Sequence, residues 1–165
     1  MTIVGHAHKY GDHVDTDLIV PGVYLSTGDP AVMAAHAMEG IDPDFAKRVR
    51  PGDIVVGGKN FGCGSARPGA QALADAGISC IVAASFARLF LRNAVNVGVP
   101  VLECPEVAEG TSTGDRVEVD LAAGVVRNLT TGAVFTTRPM PPFLLEILRL
   151  GGLVNYARDR VQKAT

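Results

Sequence analysis

The run Asn60-Phe61-Gly62-Cys63-Gly64-Ser65-Ala66-Arg67 concentrates groups that can hold and react with an anion. Gly62 and Gly64 permit backbone angles that bring the chain close to a ligand. The run lies where a strand should end and a helix begin. A helix start offers free N–H groups and a positive dipole, which suit a carboxylate or phosphate. Ser65 falls at or near the expected N-cap, and Arg67 in the first turn can grip an anion through two N–H donors. The residues also read as a plain glycine-rich turn with Ser65 as an ordinary cap, and on chemistry alone both readings stand. No Gly-Lys-Ser/Thr closes the run, so it is not a Walker A loop. Gly57, Gly58, Gly62 and Gly64 miss the GxGxxG spacing of dinucleotide folds. Cys63 reads as a small thiol packed near a ligand, since no histidine is placed by sequence to activate it.

A second cluster is Asp12-His13-Val14-Asp15-Thr16-Asp17. Three acids and a histidine in six residues can bind a cation or orient an arginine. They can equally stabilise a hydrogen-bonded turn through Asp side chains. An EF-hand is excluded, because its glycine and distal glutamate are missing at the required offsets. His6 and His8 alternate as on one strand face and read as structural.

The elements around these clusters follow from punctuation and periodicity. Leu18-Ile19-Val20 reads as a short buried strand. Asp29-Pro30 signals a helix start ahead of Val32, Met33, His36 and Ala37, and Asp42-Pro43 repeats the signal before Phe45 to Val49. From residue 53 to 103 the text reads strand, loop, helix (about Arg67 to Ala76), strand (Ile78 to Ala84), helix capped by Ser85 (through about Asn96) and strand (Val99 to Leu102). That alternation predicts parallel strands with helical crossovers. Short alternating segments at 116–121, 125–127 and 134–137 predict a β-meander. Pro141-Pro142 opens a helix from Phe143 to Leu150, and a second helical turn follows at Leu153 to Arg160. The expected class is one mixed α/β domain over residues 1–165, with a parallel centre and an antiparallel flank.

Composition narrows the function. The chain has 165 residues, 47% of them hydrophobic, and 15 Lys and Arg against 17 Asp and Glu. That is enough for a core and offers no basic excess to attract nucleic acid. Trp is absent and aromatics are 5%, so base-stacking platforms are scarce. Cys63, Cys80 and Cys104 form neither a disulfide framework nor a CxxC pair. The start lacks a signal-peptide core, and no run approaches the ~20 apolar residues of a membrane span. The expectation is a soluble, cytoplasmic chain with reduced cysteines, and no nucleic-acid or membrane partner.

Four stretches together resemble one family in order and spacing. They are Gly11-Asp12-His13-Val14-Asp15-Thr16-Asp17-Leu18-Ile19-Val20-Pro21, Tyr24-Leu25-Ser26-Thr27, Gly58 to Ser65, and Ser85-Phe86-Ala87-Arg88-Leu89-Phe90 with Arg92-Asn93. The resemblance is to the small subunit of 3-isopropylmalate dehydratase and its homoaconitase relatives, in the aconitase superfamily. It spans about residues 3–160.

The resemblance implies the swivelling β/β/α domain of aconitase, made as a separate chain. It implies a hydro-lyase that removes water from a hydroxy di- or tricarboxylate and adds it back at the neighbouring carbon. The implied partner is a large subunit supplying three cysteines for a [4Fe-4S] cluster, with no metal ligated by this chain. The first serine after Gly-Cys-Gly, here Ser65, is the implied base. Arg67 is the implied substrate-carboxylate ligand, with Gly64 beside it among the substrate-binding residues. Tyr24, Leu25, Ser26 and Thr27 surround the substrate's variable group, while Asp15, Thr16, Asp17, Gly62 and Cys63 support the site. The family's usual Ser-Ser-Arg-Glu-His stands here as Ser65-Ala66-Arg67-Pro68-Gly69, so the base and the arginine are kept and three polar side chains are lost. Homoaconitase relatives tend to carry an arginine where Ser26 stands, and the neutral Ser26 favours an uncharged substituent. The implied substrate is 3-isopropylmalate, of leucine biosynthesis. The alternatives are a dehydratase of the 2,3-dimethylmalate, citramalate or homoaconitate type, or a non-catalytic anion-binding module.

Overall fold

Ile54-Val55-Val56 and Cys80-Ile81-Val82-Ala83 contain no polar side chain, as strands covered on both faces require. The computed structural model describes residues 1–65 and 67–164 and sets these runs side by side. Strands β1 (Thr2–Lys9), β2 (Ile54–Gly57), β3 (Cys80–Ala83) and β4 (Val101–Glu103) pair in parallel in the order β4-β3-β2-β1. Strands β5 (Arg116–Asp120), β6 (Val125–Asn128) and β7 (Val134–Thr136) continue the sheet antiparallel from the other edge of β1. The seven strands thus have a parallel centre and an antiparallel flank.

The pleat divides the core. Val55, Ile81, Ala83 and Val101 join the cluster that holds Leu73, Phe90 and Ala94, while Ile54, Val56, Cys80, Val82 and Leu102 join the one that holds Val117, Val119 and Leu148. In the flank, Val117 and Val119 are buried and Glu118 between them is half-buried, which is the alternation of a one-sided sheet.

Helices α5 (Gly69–Asp75) and α6 (Arg88–Asn96) form the β2–β3 and β3–β4 crossovers. The β1–β2 connection carries α1 (Thr16–Ile19), α2 (Gly22–Leu25), α3 (Pro30–Ala35) and α4 (Phe45–Arg48). Two helices close the chain, α7 (Pro142–Arg149) and α8 (Leu153–Ala164). No helix of the described residues is long and apolar enough to cross a membrane.

Several sequence expectations need correction. Leu18-Ile19-Val20 is not a strand: Leu18 and Ile19 end α1, and Val20 N–H bonds back to the Thr16 carbonyl at 2.9 Å. A three-residue apolar run has no periodicity to separate the two. The helix expected from Arg67 begins at Gly69, because proline disfavours helical geometry in the residue before it. Ser65 is therefore no N-cap, and Arg67 lies upstream of the first turn. Ser85 does not cap α6, which starts at Arg88; its Oγ instead accepts the Asn60 N–H at 2.9 Å. Asp42 does not cap α4 but accepts the Tyr10 hydroxyl at 2.8 Å. The Asp29 cap is present, taking the Ala31 N–H at 2.9 Å, and α2 was not legible as a helix.

His8 has the structural role its strand position suggested. Its Nε2 donates to Asp53 Oδ2 at 2.8 Å, and Arg50 N–H donates to the same oxygen at 2.9 Å. His8 also meets Phe45 edge-on, with ring centroids 5.2 Å apart. Burial pushes the Asp53 carboxyl up, but the His8 and backbone hydrogen bonds outweigh it and hold the group below its ordinary value. Stability from a depressed carboxyl is full above the ordinary value and is lost as pH falls through the lower folded one. Asp53→Ala strands buried donors without an acceptor. It should cost about 3 kcal/mol near neutrality, a fall in Tm of roughly 6–12 °C. Thermal unfolding should show this gap narrowing as pH falls below the ordinary carboxylate range, whereas a gap unchanged from neutral to acid pH would contradict the assignment.

Candidate active site

The loops leaving the C-terminal ends of β1 and β2 lie alongside each other. Gly58 N–H bonds the Gly11 carbonyl at 3.0 Å, His13 N–H the Lys59 carbonyl at 2.8 Å, Gly62 N–H the Val14 carbonyl at 2.8 Å and Thr16 N–H the Cys63 carbonyl at 2.8 Å. Asp12 Oδ1 accepts the Lys59 N–H at 2.7 Å, and the Thr16 hydroxyl donates to the Ser65 carbonyl. The two sequence clusters are therefore one structure.

Two glycines make the fit possible. Gly62 has φ +78°, and a Cβ there would lie 2.1 Å from the Phe90 ring. That ring packs with Phe61, which is fully buried and anchors the loop, at 5.5 Å between centroids. Gly64 has φ +89°, and a Cβ there would lie 2.4 Å from both carboxylate oxygens of Asp15. Asp15 is the N-cap of α1, accepting the Asp17 N–H at 2.8 Å. Gly64 thus lets the loop approach the cap that aims Asp17.

Asp17 Oδ1 is the centre of the arrangement. It accepts the Ser65 hydroxyl at 2.9 Å and pairs with Arg67 Nε at 2.6 Å. Arg67 Nε also reaches Ser65 Oγ at 3.2 Å, and Nη1 donates to the Val20 carbonyl at 2.9 Å. Among the described residues Nη2 has no hydrogen-bond partner. Ser65 is exposed. Serine, carboxylate and guanidinium so make a compact group with one guanidinium nitrogen, Nη2, left for an incoming anion, not the two-nitrogen grip the sequence suggested. Of the open readings for residues 12–17, the turn applies to Asp15 and arginine orientation to Asp17, while Asp12 ties this loop to the other through Lys59.

Gly22, which begins α2, lies against the Arg67 guanidinium, where a Cβ would stand 3.2 Å from Nη1. Leu25 packs on the core, while Ser26 Oγ donates to the Val23 carbonyl at 2.9 Å and Thr27 Oγ1 to the Tyr24 carbonyl at 2.7 Å. The segment therefore presents neutral, self-satisfied hydroxyls and no cation. Tyr24 stacks on His36, and both bond Glu39. His36 and Glu39 were missed by sequence reasoning, although their i, i+3 spacing is a signal for a side-chain pair.

Cys63 lies beside the group, with Asp15 bridged to it. Burial and the Asp15 charge push its thiol up, which suits packing and not nucleophilic attack. Cys80, in the sheet core, is pushed up to about 12 by burial, and Cys104 is raised by burial too. Among the described residues no three His, Cys, Asp or Glu side chains gather to hold a metal ion. Among the described residues Cys63, Cys80 and Cys104 do not gather as a cluster's thiolate ligands would. Ala66 lies outside the described residues; Pro68 is exposed, and Gly69 is buried against Ile19 and Phe90.

Comparison with known proteins identifies the family. A family model described as the aconitase C-terminal domain matches residues 11–107. A 3-isopropylmalate dehydratase small subunit from Caldicellulosiruptor bescii is 48% identical, with 99% of each chain covered. An isopropylmalate/citramalate isomerase small subunit from Methanocaldococcus jannaschii is 50% identical, covering 98% of this chain and 97% of its own. A crystal structure of 3-isopropylmalate dehydratase from Methanocaldococcus jannaschii superposes with a TM-score of 0.93 at 43% identity, over 99% of this chain and 98% of that one. The matched fold and the end-to-end identity agree: the chain belongs to the aconitase C-terminal domain family, among the small subunits of 3-isopropylmalate dehydratase.

Proposed function

We propose that this chain works with a large subunit as a hydro-lyase on a malate with an apolar substituent, with Ser65 as the base. The observation that carries the reading is the contact of Ser65 and Arg67 through Asp17 Oδ1. Serine is a weak base until its oxygen can bear negative charge. Asp17 holds the hydroxyl proton, and Arg67 Nε stands 3.2 Å from Oγ, close enough to stabilise an alkoxide. Nη2 is the donor left for a substrate carboxylate. The Cα–H of the substrate then faces Ser65, whose hydroxyl proton passes to Asp17 as its oxygen takes the Cα proton and the double bond forms.

The cluster is assigned to the large subunit, where it would act as a Lewis acid on the leaving hydroxyl. Serine, carboxylate and guanidinium here bind, orient and move the proton.

Two substrates stand ahead of the others. 3-Isopropylmalate comes first, from the names of the relatives. Citramalate is second, because a relative 50% identical is named for both. The neutral hydroxyls of Ser26 and Thr27 favour either over a tricarboxylate, whose extra carboxylate would be costly to bury without a cation. The loss of the family's second serine, glutamate and histidine removes three polar side chains and leaves Ser65, Arg67 and their link to Asp17.

Two assays test the reading in the assembled holoenzyme. Ser65→Ala should lower kcat by about 10²–10⁴-fold with subunit association kept; near-normal turnover would remove Ser65 from the mechanism. Ser26→Arg should shift the ratio of kcat/KM towards a homoaconitate-type substrate and away from an isopropylmalate-type one by about tenfold or more. An unchanged ratio would show that residues 24–27 do not read the substituent.

A further inference from the structure

Three side chains outside the Ser65 group join the specificity segment to the element that carries Asp17. Tyr24 lies on α2, two residues before Ser26. Its ring stacks on His36, with centroids 3.9 Å apart and planes 8° from parallel. The Tyr24 hydroxyl donates to Glu39 Oε1 at 2.8 Å, and His36 Nδ1 donates to Oε2. One carboxylate thus receives both rings, one on each oxygen. The Tyr24 hydroxyl first, and His36 next, hold that carboxyl below the usual carboxylate range.

Glu39 is itself fixed to α1. Met38 N–H bonds the Ile19 carbonyl at 2.8 Å, and Gly40 N–H bonds the Leu18 carbonyl at 3.1 Å. The approach is close enough that a Cβ on Gly40 would lie 2.7 Å from Leu18 Cα. At the other end, Thr27 Oγ1 donates to the Tyr24 carbonyl at 2.7 Å, and Gly28 N–H to the Leu25 carbonyl at 3.2 Å. A continuous set of contacts therefore runs from Asp17 through α1 to Glu39, then through Tyr24 to Ser26 and Thr27.

We propose that Glu39 is a positioning residue for substrate selectivity: by clamping the stacked Tyr24 and His36, it sets the place of the Ser26–Thr27 turn relative to Asp17, Ser65 and Arg67. It touches no reacting atom. Its effect is to fix the distance between the end of the site that reads the substituent and the end that moves the proton. The inference rests on the functional reading above, since it takes residues 24–27 to face the variable group. Binding energy at a remote substituent is useful only while that distance is held.

The test uses the holoenzyme with Glu39→Ala, and with Glu39→Gln as the conservative variant. A glutamine keeps an acceptor for Tyr24 and a polar contact to His36. Glu39→Ala should raise amide hydrogen exchange in the peptide covering residues 22–28 by about tenfold, with exchange in β2 and β3 unchanged, as expected for one lost charge-assisted bond. It should raise KM for 3-isopropylmalate by about tenfold, change kcat less than about threefold, and affect citramalate less. Glu39→Gln should restore most of both. Unchanged exchange over residues 22–28 would overturn the clamp. Faster exchange with KM and substrate preference unchanged would overturn its role in selectivity. Wild-type holoenzyme inactive on every substituted malate would instead overturn the functional reading, while the exchange measurement would still decide whether Glu39 holds the turn.

Discussion

One carboxylate oxygen joins the two halves of the site. Asp17 Oδ1 accepts the hydroxyl of a residue 48 positions later and the Nε of Arg67. For that to happen, α1 must start at Thr16 and the second loop must pass within hydrogen-bonding distance of the first. The parallel β1–β2 pairing brings the two loops out at the same end of the sheet. Phe61 and the glycines at 62 and 64 then let the second loop settle against the first. The cap Asp15, the bridge to Cys63 and the close pass of Gly64 have a shared consequence in the aim of Asp17.

The Ser65 group is open to solvent. Ser65 is exposed and Asp17 has a side chain 55% exposed, so charge forming on Ser65 would be well screened in the isolated chain. Electrostatic stabilisation of an oxyanion is strong only where water is kept out. Under the proposed function, a partner covering this face would lower the dielectric around Ser65, Asp17 and Arg67. That requirement agrees with small-subunit relatives matching this chain along its full length.

Much of this is legible in the sequence. Unbroken apolar runs at 54–56 and 80–83 identify doubly covered strands, and the alternation of Val117, Glu118 and Val119 identifies the one-sided flank. Ser65, Arg67 and the acidic run were legible as chemistry, and order and spacing of four motifs identified the family. What failed was local. Leu18-Ile19-Val20 is too short to show a period, and its helix is decided by the Asp15 cap. Pro68 delays α5, which moves Ser65 and Arg67 off the helix and into contact with Asp17. Ser85 has cap chemistry but is occupied by Asn60, 25 positions away. The Ser85 assignment is settled by a long-range partner, which short-range signals do not contain. Glu39 was overlooked for the same reason, because its meaning comes from Tyr24 across the α2–α3 turn.

The most direct measurement is a double-mutant cycle on kcat/KM in the holoenzyme with Asp17→Asn, Ser65→Ala and the pair. If Asp17 acts mainly through the Ser65 hydroxyl, most of its effect is lost once the serine is gone, and only its hold on Arg67 remains. Asp17→Asn alone should then cost at least about tenfold, and adding it to Ser65→Ala should cost much less than it does in the wild type. Losses that simply multiply would show that the two residues act independently, and would contradict the account.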